Sequence, residues 1–134
     1  GTTTGFIADT AKSGGSSPAK YITRAIMLEN ESTSLDIRIS AYIPGTSEVE
    51  MYFRISNADD SRNLRDTIWT PFNTDGSPDK AVAPSDDNVT FREYQYSASD
   101  LTKFTSFQIK LVMKGTVSSY PPRVKDLRGI ALAV

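Results

Sequence analysis

Residues 35–43 have the sequence Leu-Asp-Ile-Arg-Ile-Ser-Ala-Tyr-Ile, and this stretch decides the fold class. Apolar side chains occupy every second position, with mostly polar side chains between them. Because successive side chains of a strand point to opposite faces of a sheet, a period of two is typical of a half-buried strand. Residues 49–55 and 107–113 repeat the alternation. No segment shows a long stripe with helical spacing, so the sequence predicts an all-β protein.

Further strands are predicted over residues 20–28, 68–72, 89–96 and 124–134. Pro71 makes the segment 68–72 an edge strand or a strand end, because proline cannot donate to a strand ladder. Residues 35–43 and 49–55 are predicted to form an antiparallel hairpin around Pro44-Gly45. About eight strands separated by turn signals predict a single antiparallel β-sandwich that is jelly-roll-like.

Two strands raise a question of orientation. In residues 89–96, Val89 and Phe91 lie in one phase whereas Tyr94 and Tyr96 lie in the other. Either a β-bulge near Arg92-Glu93 resets the face or the tyrosines point outward, and we favour the bulge. At the end of the chain, the alternating residues Ile130, Leu132 and Val134 are predicted to complete the core, since an exposed apolar edge strand favours aggregation.

Length and composition limit the classes of function. The 134 residues fit one domain, with residues 1–20 predicted as a flexible lead-in or linker and 21–134 as the sandwich. The sequence contains neither cysteine nor histidine, which removes thiolate chemistry and the commonest general base and metal ligand. A net charge of -1 argues against a nucleic-acid partner, and no apolar run has the length of a membrane helix. We therefore expect no enzymatic activity, no cofactor and no membrane partner.

The polar loop of residues 73–88 supplies candidates for ligand binding. Its Asn73-x-Asp75-Gly76-x-x-Asp79 pattern partly matches a calcium loop, but it lacks regularly alternating ligands and the glutamate at the twelfth position. Turn formation is the simpler interpretation, so no metal site is predicted. Trp69 is expected to be buried or half-buried. If it is exposed, Trp69 together with Asp75 and Asp79 would form a sugar-binding site.

Basic residues surround the start of the last predicted strand. Arg123, Lys125 and Arg128 alternate there with apolar residues, and Tyr120 precedes them. Charges at such a position discourage pairing between sheet edges. These four residues are the candidates for contact with a protein partner.

Four segments carry a resemblance to a known class of protein. They are Phe104-Thr-Ser-Phe-Gln-Ile-Lys-Leu-Val-Met-Lys-Gly, Ser118-Ser-Tyr-Pro-Pro-Arg-Val-Lys-Asp-Leu-Arg-Gly-Ile-Ala-Leu, Ser47-Glu-Val-Glu-Met-Tyr-Phe-Arg-Ile and Ile68-Trp-Thr-Pro-Phe-Asn-Thr-Asp-Gly-Ser. The first two segments resemble the ends of jelly-roll modules in virion proteins and of galactose-binding-like sandwiches. The last two resemble structural proteins of contractile-tailed phages of marine cyanobacteria.

This resemblance covers residues 21–134 and implies a module of a phage tail, baseplate or fibre. It implies a location in the virion, with other virion proteins or further copies of the chain as partners, and it transfers no catalytic residue. We therefore expect a non-enzymatic structural or protein-interaction module. The alternative is a carbohydrate-binding module that recognises host surface glycans through residues 73–88 and Trp69.

Overall fold

The computed structural model describes residues 9–12, 15, 20–44, 47–58, 64–82, 90–114 and 123–132. Eight strands lie in this part of the chain: β1 (Lys20–Ile22), β2 (Ile26–Ser32), β3 (Ser34–Tyr42), β4 (Glu48–Ser56), β5 (Thr70–Pro71), β6 (Arg92–Ala98), β7 (Phe104–Lys114) and β8 (Arg123–Leu132). Two short 3-10 helices, Leu64–Asp66 and Phe72–Thr74, flank β5. No helix in the described segments is long and apolar enough to cross a membrane.

The strands form two antiparallel sheets that pack face to face, which confirms the predicted β-sandwich. Sheet A contains five strands in the order β1-β7-β4-β5, with β2 also paired to β7, and sheet B contains three in the order β6-β3-β8. The chain changes sheet between β2 and β3, β3 and β4, β5 and β6, β6 and β7, and β7 and β8. This repeated crossing is the winding that a jelly-roll-like sandwich requires.

The predicted hairpin of residues 35–43 and 49–55 is wrong. β3 pairs with β6 and β8, whereas β4 pairs with β5 and β7, so the two strands lie in different sheets. Their apolar faces meet across the core instead of continuing side by side. Alternation within a strand shows that one face is buried, but it does not show whether the next strand lies beside it or opposite it.

The core forms between the inner faces of the sheets, as the alternation predicts. Leu35, Ile37, Ile39 and Ala41 of β3 are each at most 1% exposed, and they face the apolar residues of β4 and β7. Phe72 packs edge-on against Phe53, with ring centroids 4.8 Å apart. Large aromatic side chains thus fill the space between the sheets near the polar loop.

Tyr94 and Tyr96 point into this core, as favoured above, but the predicted bulge at Arg92-Glu93 is absent. The pairing of β6 with β3 runs without a shift from Arg92 to Ala98, and the two tyrosines are 3% and 0% exposed. The strand begins at Arg92, so Phe91 precedes it, and the direction of the Phe91 side chain does not determine which residues of β6 face the core. Val89 lies outside the described residues.

The bulge occurs instead in β8. Arg128 pairs with Arg38 and Lys125 pairs with Ser40, so Asp126 and Leu127 together lie opposite the single residue Ile39. Asp126 has a φ of 54°, a conformation that aspartate adopts more readily than most residues. The extra residue reverses the alternation of β8. The even-numbered Val124 faces the core before the bulge, whereas the odd-numbered Leu127 and Ala131 face it after the bulge.

The predicted inward position of Leu132 is wrong for this reason. Leu132 is 52% exposed, whereas Val124, Leu127 and Ala131 pack against the core. Gly129 pairs with Ile37 on the inner face, and a Cβ atom on Gly129 would lie 2.9 Å from Cδ1 of Ile37. The side chain of Ile130 and all of Val134 lie outside the described part of the chain.

Candidate functional site

An apolar cleft opens between β1 and β7 of sheet A and β8 of sheet B. We call it the edge cleft; its volume is about 650 Å³ and it is lined by Tyr21, Phe91, Leu111, Met113, Arg123, Val124, Lys125, Asp126 and Leu127. Val124 before the bulge and Leu127 after it both face inward, and they line the cavity together with Leu111 and Met113. The edge cleft is therefore a part of the sandwich interior that reaches the surface.

Two of the predicted contact residues lie at the edge cleft. The guanidinium of Arg123 lies 5.3 Å from the ring centroid of Tyr42, and Nζ of Lys125 lies 4.3 Å from the ring centroid of Phe91. These cation–π contacts hold two positive charges beside an apolar surface. Tyr120, the third candidate, lies outside the described residues.

Arg128 lies elsewhere, on the outer face of sheet B. It forms an ion pair of 3.2 Å with Glu93, which also lies 3.7 Å from Arg38. All three side chains are about half exposed, and such pairs contribute little to stability. The bulge at Asp126-Leu127 places Arg128 on the same outer face as Lys125, since the two residues pair with Arg38 and Ser40. Arg128 is not part of the described lining of the edge cleft.

Trp69 is buried, as expected, and does not present a surface for a sugar ring. It is 1% exposed and lies on the outer face of sheet A with Tyr52 and Val112. The guanidinium of Arg54 lies 4.3 Å from the Trp69 ring centroid, and Nζ of Lys110 lies 5.2 Å from it. The carbohydrate alternative needs an exposed ring of Trp69 on which a sugar can stack, and the buried ring offers none.

Residues 9–12 cover this cation–aromatic cluster. The backbone N–H of Trp69 donates to the carbonyl of Thr10 at 2.9 Å, Nη1 of Arg54 donates to the carbonyl of Lys12 at 3.1 Å, and Nζ of Lys110 donates to the carbonyl of Asp9. This part of the predicted lead-in is bonded to the sandwich. Burial lowers the pKa of Lys110 to about 8, and the positive charges of Lys20 and Arg54 act in the same direction.

Asp75 and Asp79 have structural partners in the polar loop. Asp75 accepts hydrogen bonds from the backbone N–H and hydroxyl of Ser77, and the hydroxyl bond is the main cause of its lowered pKa. Asp79 accepts bonds from Asn73 and from the N–H and hydroxyl of Ser97. Burial raises the pKa of Asp79, but these bonds outweigh burial and lower it. Among the described residues, no cluster of acidic side chains has the arrangement of a metal site.

A second cavity, which no sequence motif indicates, lies on the outer face of sheet A. This arginine groove has a volume of about 730 Å³; its lining includes Arg24, Arg54 and Arg65 together with Met27, Asn57 and Gln108. Arg24 follows β1, Arg54 lies on β4, and Arg65 lies in the first 3-10 helix. The three residues are far apart in the sequence, so no motif signals them. Arg54 shares the outward phase of β4 with Glu48, Glu50 and Tyr52, so the alternation gives no signal of its burial either.

Comparison of the chain with models of protein families, with curated proteins and with solved structures finds no match. The fold and the geometry of the two cavities therefore carry the functional argument.

Proposed function

We propose that this domain is a non-enzymatic protein-interaction module of a phage virion, and that the edge cleft receives a segment of a partner polypeptide. The supporting observation is the edge cleft itself, where core residues of both sheets line an open cavity flanked by Arg123 and Lys125. The resemblance to structural proteins of contractile-tailed phages supports the virion as its location.

The chemistry of the edge cleft defines the partner segment. An apolar or aromatic side chain that enters it contacts Leu111, Met113 and Val124, and full burial of such a side chain contributes about 1.5–3 kcal/mol. Carboxylates on either side of this anchor would face Arg123 and Lys125. The partner is therefore a polypeptide segment in which a large apolar residue lies between acidic residues.

Selection from a random peptide display library tests this partner chemistry. We expect enriched peptides to carry Phe, Leu or Trp flanked by Asp or Glu, and their binding to weaken about tenfold in Lys125→Glu, a loss of about 1.4 kcal/mol. Tyr21→Ala, at a 56% exposed residue of the edge cleft, should also weaken binding. The exposed Lys103→Glu, outside the cavity lining, is the matched control. Peptides without a shared motif, or equal affinity for Lys125→Glu and wild type, would contradict the proposal.

The virion location and self-association need separate measurements. Immunogold labelling of purified contractile-tailed particles with antibodies against this domain should mark the tail. In sedimentation experiments we expect a monomer. A dimer abolished by Tyr21→Ala would instead make a second copy the occupant of the edge cleft.

A further inference from the structure

Arg54 is a buried cation without a counter-charge among the described residues. Its side chain is 7% exposed, and its hydrogen bonds go to Oε1 of Gln108 at 2.8 Å and to the carbonyls of Lys12 and Thr67 at 3.1 and 3.4 Å. All of these acceptors are neutral. Burial lowers the pKa of Arg54 because no nearby carboxylate offsets the cost of desolvating the guanidinium. Buried charges are ordinarily paired, so this arrangement is unusual.

The contacts of Arg54 also fix its orientation. The Trp69 ring lies against one side of the guanidinium at 4.3 Å, and the three hydrogen bonds fix its plane. Gln108 is held in turn, because its Nε2 donates to the carbonyl of Thr23 at 3.0 Å. Arg54 thus lies in the wall of the arginine groove in a preorganised position, the condition under which a binding group loses little entropy when a ligand arrives.

Two exposed arginines strengthen the positive charge of the groove. Arg24 and Arg65 line it with Arg54, and none of the ion pairs between described residues contains either of them. The described lining contains no carboxylate. Glu31 accepts a bond of 2.6 Å from the amide of Asn57, which lines the groove. Since the chain as a whole has a net charge of -1, this concentration of positive charge is local.

We propose that the arginine groove binds an anionic saccharide of the uronic-acid type. Arg24 and Arg65 can each match a planar carboxylate with two parallel hydrogen bonds, which a spherical ion does not exploit. In Arg54, Nε and Nη1 already donate to protein acceptors, so Nη2 is the nitrogen that would donate to the ligand. Hydroxyl and amide groups of Ser56, Asn57, Thr105 and Ser106 line the same cavity and are suited to sugar hydroxyls. Its volume of about 730 Å³ is within the range of small-molecule sites. This site is separate from the edge cleft and does not depend on the function proposed for it.

Titration of the whole chain with trigalacturonic acid, followed by amide chemical shifts in NMR spectra, tests the proposal. We expect shifts at Arg24, Arg54, Met27 and Arg65, and an affinity that falls with salt. The double variant Arg24→Ala/Arg65→Ala should weaken binding at least about tenfold while leaving the unfolding midpoint unchanged, because both residues are exposed. Glu31→Gln should tighten binding, because it removes the negative charge beside Asn57. Arg38→Ala, on the outer face of sheet B, is the matched control.

Three outcomes would overturn this assignment. The first is the absence of shifts in the groove at millimolar trigalacturonic acid. The second is equal binding of neutral maltotriose, which would show that the arginines do not recognise the ligand. The third is equally tight binding of inorganic sulfate, which would show that the groove responds to charge alone and not to a saccharide. Failure of the peptide selection at the edge cleft would leave all three results unaffected.

Discussion

Replacement of Gly129 by alanine tests the register of β8, on which the positions of Arg123 and Lys125 depend. The new Cβ atom would lie 2.9 Å from Cδ1 of Ile37, about 0.6 Å inside the shortest favourable carbon–carbon separation of roughly 3.5 Å. Ile37 is 1% exposed, so its terminal methyl group has little room to move. Overpacking of a core costs about 1–3 kcal/mol, and removal of a strand glycine returns about 0.5–1 kcal/mol. We expect Gly129→Ala to destabilise the domain by about 1–2 kcal/mol.

A double-mutant cycle with Ile37→Val isolates this contact. Ile37→Val alone removes Cδ1 and should cost about 0.5–1.5 kcal/mol. In the Gly129→Ala background the same change relieves the overlap, so the two effects should differ from additivity by at least about 1 kcal/mol. Urea unfolding followed by the fluorescence of the single, buried Trp69 gives each free energy. Additivity within about 0.5 kcal/mol would refute the close approach of Gly129 and Ile37.

Leu132→Ala serves as the matched control on the same strand. In the observed register Leu132 is 52% exposed, and its truncation should change stability by no more than about 0.5 kcal/mol. If Leu132 faced the core, as the simple alternation of residues 130–134 predicts, the cost would be about 2–5 kcal/mol. The two registers therefore give clearly different results in a single unfolding experiment.

Three further predictions concern the outer face of sheet A and the polar loop. Because the folded-state pKa of Lys110 is lowered from 10.5 to about 8, the unfolded chain binds more protons between these values, and stability should rise with pH across this window by up to about 3 kcal/mol. Lys110→Met should remove this rise, which denaturation curves recorded below pH 10.0 would measure; above that pH the raised pKa of buried Tyr52 lowers stability as the pH rises. The exposed Lys103→Met is the control. If Lys110→Met keeps the same dependence of stability on pH, the lowered pKa of Lys110 is contradicted. Asp79→Ala should cost about 1 kcal/mol at neutral pH, and in wild type this contribution should disappear on acidification, because a lowered carboxyl pKa stabilises the fold only above it. The emission of Trp69 should be blue-shifted and resistant to iodide quenching, and emission like that of a solvent-exposed tryptophan would contradict its burial.

Local patterns predicted the strands and most of the core. The alternation in β3, β4 and β7 reflects the two-residue period of an extended chain, which holds wherever the strand lies. Burial of Trp69 likewise follows from side-chain size. These features depend on neighbours along the chain, and the structure confirms them for Leu35, Ile37 and Ile39.

Pairing between distant strands was not predictable from the same patterns. The placement of β3 and β4 in different sheets depends on which partner each strand finds, and alternation is the same in either arrangement. The sequence predicts a bulge near Arg92-Glu93 and none in β8, because a one-residue insertion in β8 becomes visible only against the partner residues 38 and 40. A shift of one residue exchanges every later side chain between the two faces of a strand, so this single feature decides which residues of 127–132 face outward.

The alternating strands are sufficient to predict a β-sandwich, because the hydrophobic effect favours burial of the apolar face of each strand whatever its neighbours are. The positions of charged residues relative to the cavities depend on the packing of the sheets. This packing brought Arg24, Arg54 and Arg65 from three separate segments to one groove, and it placed Arg123 and Lys125 beside the open edge of the core. Electrostatic and binding properties depend on distances in space, and residues far apart in the chain acquire those distances only when the sheets pair and pack.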